Sequence, residues 1–264
     1  MSLKLTPEQL TDFDTDGFLI VDELLSAEET ELLNRVARAD ASLHQARTSR
    51  RDGEGGAVDL VVENDLPDNS IYSAIVRSES VMGTAALLLE DEVYHYHHKM
   101  VLKEPRVGGA WAWHQDYGYW YNNGCLFPDM ASCMIAVDEA TRDNGCLQVL
   151  RGSHRLGRID HIQVGDQTGA DPERVQIALN RLELVYCELK PGSAVFFHCN
   201  TLHRSDQNKS DNARWAFICC YNTAHNDPYK ESKHPRYSPL EQWSDEKILS
   251  VGQQHLLELE SVST

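Results

Sequence analysis

Wound at 3.6 residues per turn, Leu32, Leu33, Val36 and Ala37 fall on one side of a helix, with charged residues on the other. That helix opens at Ser26-Ala-Glu-Glu29, where Ser can cap the first turn while the Glu three residues on reaches back to it. Thr6-Pro7-Glu8-Gln9 carries the same box, with Pro at the first helical position. Between the two helices Gly17-Phe-Leu-Ile-Val21 reads as a short apolar strand. Residues 46–70 are polar and Gly-rich, as in Arg51-Asp-Gly-Glu-Gly-Gly56, and predict a loop: a surface excursion or a lid over a site. Helical pattern resumes over 70–91, with Ala85-Ala-Leu-Leu-Leu89 as its apolar stretch.

At residue 93 the period changes from helix to strand. Val93–Lys103 is rich in aromatic and β-branched residues, and further strands are predicted at Ala110–Asp116, Ala131–Asp138, Cys146–Val149, Leu184–Glu188, Ala194–His198 and Trp215–Asn222. Turn signals part them at Asn123-Gly124, Asn144-Gly145, Pro191-Gly192 and Asn208–Asn212. Many short strands of this kind predict a sandwich or a closed barrel. Helical pattern returns after Ser238-Pro239-Leu-Glu241. The chain carries no internal repeat and no linker. A single domain over 1–264 is expected: a helical N-terminal region of about 1–92, a β core of about 93–225 and a helical tail of about 238–260.

Hydrophobic residues make up 41% of the 264, enough for a substantial core. The formal charge of −17, from 41 acidic and 24 basic residues, repels phosphate backbones and anionic membrane surfaces, so neither nucleic acid nor membrane is an expected partner. Seven cysteines, an odd number without a C-x-x-C spacing, sit largely inside apolar runs and read as buried free thiols of a reducing compartment. No apolar stretch approaches a membrane span, and neither end carries a secretory or Ser-Lys-Leu address, so a cytoplasmic protein is expected. Nothing in the sequence marks an oligomeric state.

The chemistry concentrates at Ala110-Trp-Ala-Trp-His-Gln-Asp116. On a strand, residues two apart point to the same face, so His114 and Asp116 project together and can supply two ligands of a 2-His-1-carboxylate triad. Such a pair is common by chance and gains force from the chain downstream. Lys190-Pro-Gly-Ser-Ala-Val-Phe-Phe-His198 launches an apolar strand from a turn, and the chain then runs through Cys-Asn-Thr-Leu to His203.

Together, His114-Gln-Asp116, Asn144-Gly-Cys-Leu147, Gly152-Ser-His154, Pro191-Gly-Ser193, His198 with His203, Ser205, and Arg214 eleven residues beyond His203 resemble the phytanoyl-CoA dioxygenase family. Asp16-Gly-Phe-Leu-Ile-Val21 resembles the family's opening, and the resemblance covers roughly residues 6–225. It implies a mainly β fold with flanking helices, built on a double-stranded β-helix (a jelly-roll, cupin-like core). It implies an Fe(II)- and 2-oxoglutarate-dependent dioxygenase that hydroxylates a small molecule with O2, releasing succinate and CO2. By the same resemblance His114, Asp116 and His203 hold iron, Arg214 pairs with the distal carboxylate of 2-oxoglutarate, and Ser205 hydrogen-bonds it. Guanidinium suits that task because its planar fork takes a carboxylate bidentately. Halogenating relatives carry a small residue where Asp116 stands, so hydroxylation is implied here. Two positions depart from the family: Arg204 where Gly is usual, and Arg151 where Pro is usual.

Other residues carry two readings. In Tyr94-His-Tyr-His-His-Lys99, residues His95, His97 and Lys99 share a face of the predicted strand, and Lys99 or His97 can contact co-substrate or substrate from the barrel interior. His198 reads as a pocket residue or one behind the metal. Tyr117, Tyr119, Trp120 and Tyr121 form either core or a substrate wall. Trp111 and Trp113 alternate away from His114 and are expected in the core, and His154 in a structural turn. The competing class is a non-redox cupin-type metalloprotein, an isomerase or small-molecule binder, which would hold metal without consuming 2-oxoglutarate. A third is an inactive jelly-roll interaction protein.

Overall fold

The computed structural model describes residues 4–52, 55–164 and 166–262; residues 53 and 54 of the expected loop lie outside them. The N-terminal part runs α1 (Pro7–Asp16), β1 (Phe18–Val21), α2 (Ala27–Ala39), α3 (Ala41–Gln45), β2 (Thr48–Arg51), β3 (Ala57–Glu63), α4 (Ile71–Arg77) and α5 (Thr84–Leu89). Then come β4 (Val93–Lys103), β5 (Trp111–His114), α6 (Asp116–Trp120), β6 (Met130–Ala136), β7 (Leu147–Leu150), β8 (His161–Val164), β9 (Gln167–Ala170) and α7 (Pro172–Leu179). The chain closes with β10 (Leu184–Cys187), β11 (Ala194–His198), β12 (His203–Ser205), β13 (Arg214–Thr223) and α8 (Glu246–Val262).

The strands build a jelly roll. A seven-stranded sheet has the order β1-β11-β6-β13-β4-β3-β2, and a four-stranded sheet has the order β10-β7-β12-β5. One apolar cluster, including Phe18, Tyr96, Met134, Val149 and Phe197, lies between the sheets. A second covers the outer face of the larger sheet, where Leu33, Val36, Ile75, Phe217 and Ile248 join helices α2, α4 and α8 to it. Fully burying each such side chain stabilises the fold by about 1.5–3 kcal/mol. No helix among the described residues is long and apolar enough to cross a membrane.

Both predicted capping boxes form. Thr6 Oγ1 accepts from Gln9 N at 3.2 Å and Gln9 Oε1 accepts from Thr6 N at 2.9 Å; Ser26 and Glu29 do the same for α2. Helix α1 stops at Gly17, whose φ of +80° a side chain resists, and a Cβ there would lie 2.3 Å from His154 Nδ1. His154 is structural, as expected: its Nε2 donates to Asp14 O at 3.0 Å.

The loop expected over 46–70 is instead largely a hairpin. Strand β3 pairs with β4, and β2 forms the sheet's edge. Thr48-Ser-Arg-Arg51 is exposed throughout, so it lacks the alternation that marks a strand, and the neighbour supplies the pairing. The tail helix begins at Glu246, because Trp243 first bridges to Ser78 in extended form.

Candidate active site

Strand β12 lies between β5 and β7, and its register sets His203 directly opposite His114. The two imidazole centroids are 4.0 Å apart. Strand β5 ends at His114, earlier than the sequence predicts. Gln115 remains extended at φ −117°, ψ 135°, which keeps Asp116 on the side of His114, and Asp116 then starts α6. One ligand atom from each of His114, Asp116 and His203 lies within 4.8 Å of the others, all three buried.

The surroundings prepare these side chains for a cation. His114 Nδ1 donates to Ala112 O at 2.8 Å and His203 Nδ1 to Thr201 O at 2.9 Å. These bonds fix the tautomer and leave each Nε2 lone pair available. Burial first, and then the neighbouring His203 imidazole, pushes His114 well below its usual pKa; burial lowers His203 as well. Both are therefore neutral ligands at neutral pH. Burial opposes ionisation of Asp116, but Lys99 above all, then His203 and Ser132, outweigh it and hold the carboxyl below its usual range. Ser132 Oγ donates to Asp116 Oδ2 at 2.8 Å, and Lys99 Nζ lies 3.8 Å from Oδ1.

Three residues that sequence reasoning missed hold this arrangement. Gln115 is fully buried; its Nε2 donates to Gly157 O and Asn200 O, and its Oε1 accepts from Ile159 N at 2.7 Å. His161 Nε2 accepts from Gln115 N at 3.0 Å. Ser132 was legible only as a lone hydroxyl in the apolar run Met130–Ala136.

The triad opens on a cavity of about 360 Å³ that also holds Lys99, His97, Tyr119, Trp120, Ser205 and Arg214. Arg214 is 3% exposed; its Nη2 donates to Gly145 O at 2.6 Å, and its Nε has no partner among the described residues. Burial pushes it down to about 10, so it stays cationic at neutral pH. Gly145 has φ +81°, and a Cβ there would stand 2.3 Å from Asp206 O, which is why the Asn144-Gly turn needs glycine to bring its carbonyl to Arg214. Arg204 also reaches the wall, stacked 5.3 Å from Trp113. Arg151 is elsewhere, between Asp16 and Glu183.

Four expectations need correction. Tyr117 does not face the cavity: its ring packs between the sheets and its hydroxyl donates to Leu126 O at 2.6 Å. His198 is also away from it, 5.4 Å from His154, with Nδ1 accepting from Asn200 N at 3.0 Å. His95 does not share a face with His97 and Lys99. The β13–β4 ladder slips where Cys220 and Tyr221 face His97 and His95, and this bulge turns His95 outward, its Nε2 3.1 Å from His98 Nδ1. Trp111 lines the cavity rather than the core, because the β12–β5 ladder slips between His203 and Ser205.

A jelly roll that gathers two imidazoles and one carboxylate in a buried cavity, with an unsatisfied arginine nearby, has the donor set of the mononuclear Fe(II), 2-oxoglutarate-dependent oxygenases. Known proteins agree. A family model for phytanoyl-CoA dioxygenase (PhyH) matches residues 13–216. The chain is 25% identical over 239 residues to L-proline trans-4-hydroxylase of Streptomyces griseoviridis, covering 84% of this chain and 88% of that protein. It is 27% identical over 250 residues to ectoine dioxygenase of Bordetella bronchiseptica, covering 88% and 80%. Crystal structures of EctD from S. alaskensis, as apoform and with 2-oxoglutarate and 5-hydroxyectoine, match with TM-scores of 0.78 and 0.76 at 23% and 22% identity, over 91% of this chain and 88% of theirs. The chain belongs to the phytanoyl-CoA dioxygenase family and is an Fe(II)- and 2-oxoglutarate-dependent dioxygenase.

Proposed function

We propose that His114, Asp116 and His203 hold the iron, that Arg214 and Ser205 hold the distal carboxylate of 2-oxoglutarate, and that the enzyme hydroxylates a small molecule. The observation that carries this is one cavity containing both a buried His-Asp-His triad and an arginine with an orphaned Nε. A buried guanidinium nitrogen without a partner is costly, and a carboxylate satisfies it with a charge-assisted bond. Three protein ligands leave positions on the metal for co-substrate and O2. The bound metal supplies the redox chemistry that couples oxidative decarboxylation of 2-oxoglutarate, to succinate and CO2, with hydroxylation of a C–H bond.

The residues divide the remaining work. Lys99 keeps Asp116 ionised and brings a second cation toward the co-substrate. Phe197, whose ring lies 4.8 Å from His203, and Tyr119, 5.9 Å from His114, keep water from the centre. Trp120 forms part of the substrate wall. The enzyme works in the cytoplasm as one catalytic domain; its seven cysteines are all buried and free, as a reducing compartment allows.

An anaerobic titration with Fe(II) and then 2-oxoglutarate, followed by visible absorption, tests this. A weak charge-transfer band is expected in the wild type, absent in His203→Ala and weakened in Arg214→Ala. Iron-loaded protein that gives no band and consumes no 2-oxoglutarate would instead fit the non-redox cupin-type class.

A further inference from the structure

The chain as a whole has 41 acidic and 24 basic residues, yet the cavity reverses this ratio. Arg50, Lys99, Arg204 and Arg214 line it, and Asp116 is the single carboxylate among its described lining residues. Three of the four cations have partners. Arg214 bonds Gly145 O, Lys99 lies 3.8 Å from Asp116, and Arg204 bonds Gln148 and lies 3.1 Å from Asp206. Arg50, on the edge strand β2, makes neither an ion pair nor a side-chain hydrogen bond within the described structure; its guanidinium lies 5.8 Å from the Trp111 ring. That ring is in turn 5.8 Å from the His114 imidazole, so one indole separates the free cation from the triad. The same cavity carries a second unmet demand. His97 and His234, with rings 5.0 Å apart, each bury an Nδ1 that has no partner among the described residues. A cleft with apolar walls and one sign of excess charge focuses its field on an incoming ion of the opposite sign.

We propose that the substrate is a small carboxylic acid. Its carboxylate is held by Arg50 at the mouth, and its body lies along Trp111 toward His114, Asp116 and His203, with any further polar group meeting His97 and His234. This rests on the function proposed above, since it takes Arg214 to be occupied by 2-oxoglutarate. The short span from Arg50 past one indole to the triad selects molecules of amino-acid size over long acyl thioesters.

The test uses iron-loaded protein under saturating 2-oxoglutarate without O2. L-Proline, hexanoate and benzoate are titrated against L-prolinamide, hexanamide, benzamide and phenyl phosphate, following both the charge-transfer band and binding heat. At least one acid is expected to shift the band and to bind about tenfold or more tightly than its amide, and Arg50→Gln to remove that preference while the 2-oxoglutarate band persists. The proposal is overturned if no acid is preferred over its amide, if only the phosphate ester binds, or if the preference survives in Arg50→Gln. It is equally overturned if the acids abolish the band, which would place them at Arg214. Absence of any band before an acid is added would remove the underlying reading of the metal centre, and this inference with it.

Discussion

Under the proposed function, loss of Arg214 separates co-substrate binding from metal binding. It touches none of the triad, and its Nε has no partner among the described residues, a demand that a bound carboxylate would meet. Removing one partner of a buried charge pair costs about 2–5 kcal/mol, so Arg214→Ala should weaken 2-oxoglutarate by at least about 30-fold while leaving iron content unchanged. Calorimetry beside metal analysis checks both. Ser132 acts one step behind the metal, through its bond to Asp116. Ser132→Ala should lower iron affinity by about 10- to 100-fold, the usual cost of losing a hydrogen bond that orients a metal-binding carboxylate; unchanged affinity would show that Lys99 orients Asp116 alone. His95 and His98 set an acid limit on stability. Burial, then His98 and Arg77, pushes His95 down to about 3, and burial pushes His98 down to about 4. Below pH 6.5 the unfolded chain binds protons that the folded chain refuses. Stability is therefore complete above that pH and is lost as pH falls toward 4, by roughly 2 kcal/mol per histidine at pH 5. His98→Gln should show a smaller drop in urea midpoint between pH 7 and pH 5 than the wild type; an equal drop would mean that the charge is accommodated.

At the scale of elements, the triad depends on how three short pieces end. Strand β5 stops at His114, Gln115 is clamped from three sides, and α6 begins at Asp116. Gly118 allows α6 to lie against His161, since a Cβ there would come within 2.0 Å of the imidazole. His161 in turn accepts from Gln115 N. Gly118→Ala should displace that chain of contacts and loosen iron binding without changing the fold, which circular dichroism and metal retention together would show. Retention equal to the wild type would mean that α6 and His161 part without disturbing Asp116.

Among the described residues two large apolar clusters, and a smaller third that includes Leu150, Val175 and Leu202, hold the molecule together. The inter-sheet cluster surrounds the cavity, and the outer cluster depends on α8, which buries Ile248 and Leu256 against α2 and α4. Gly252 lets that helix approach closely: a Cβ would stand 2.7 Å from Ile71 and from Leu32. A chain ending at Asp245 loses at least those two side chains, about 3–6 kcal/mol of burial, a large part of the net stability of an ordinary domain. Its thermal midpoint should fall by about 6 °C or more, and a midpoint within about 2 °C of the full chain would assign α8 no part in the core.

The sequence by itself determined which side chains are the candidates for chemistry. His114 and Asp116 were legible from their spacing of two on a strand, and His203, Ser205 and Arg214 from the run of motifs downstream, whose turns are written in Gly, Pro and Asn. Strand β4 was legible over its full length, Val93–Lys103, because eight of its eleven residues are aromatic, branched or imidazole-bearing. Tertiary structure decided which faces those residues present. Side-chain direction along a strand has period two, so a single slipped residue inverts it. The slips at Cys220/Tyr221 and at His203/Ser205 sent His95 out and brought Trp111 in. Strand β2, and with it Arg50, took its strand character from pairing with β3, which extends the edge of β4, rather than from its own residues. Pairing between strands far apart in the chain leaves no local mark, and for that reason the motifs named the metal centre while only the assembled sheets drew the cavity around it.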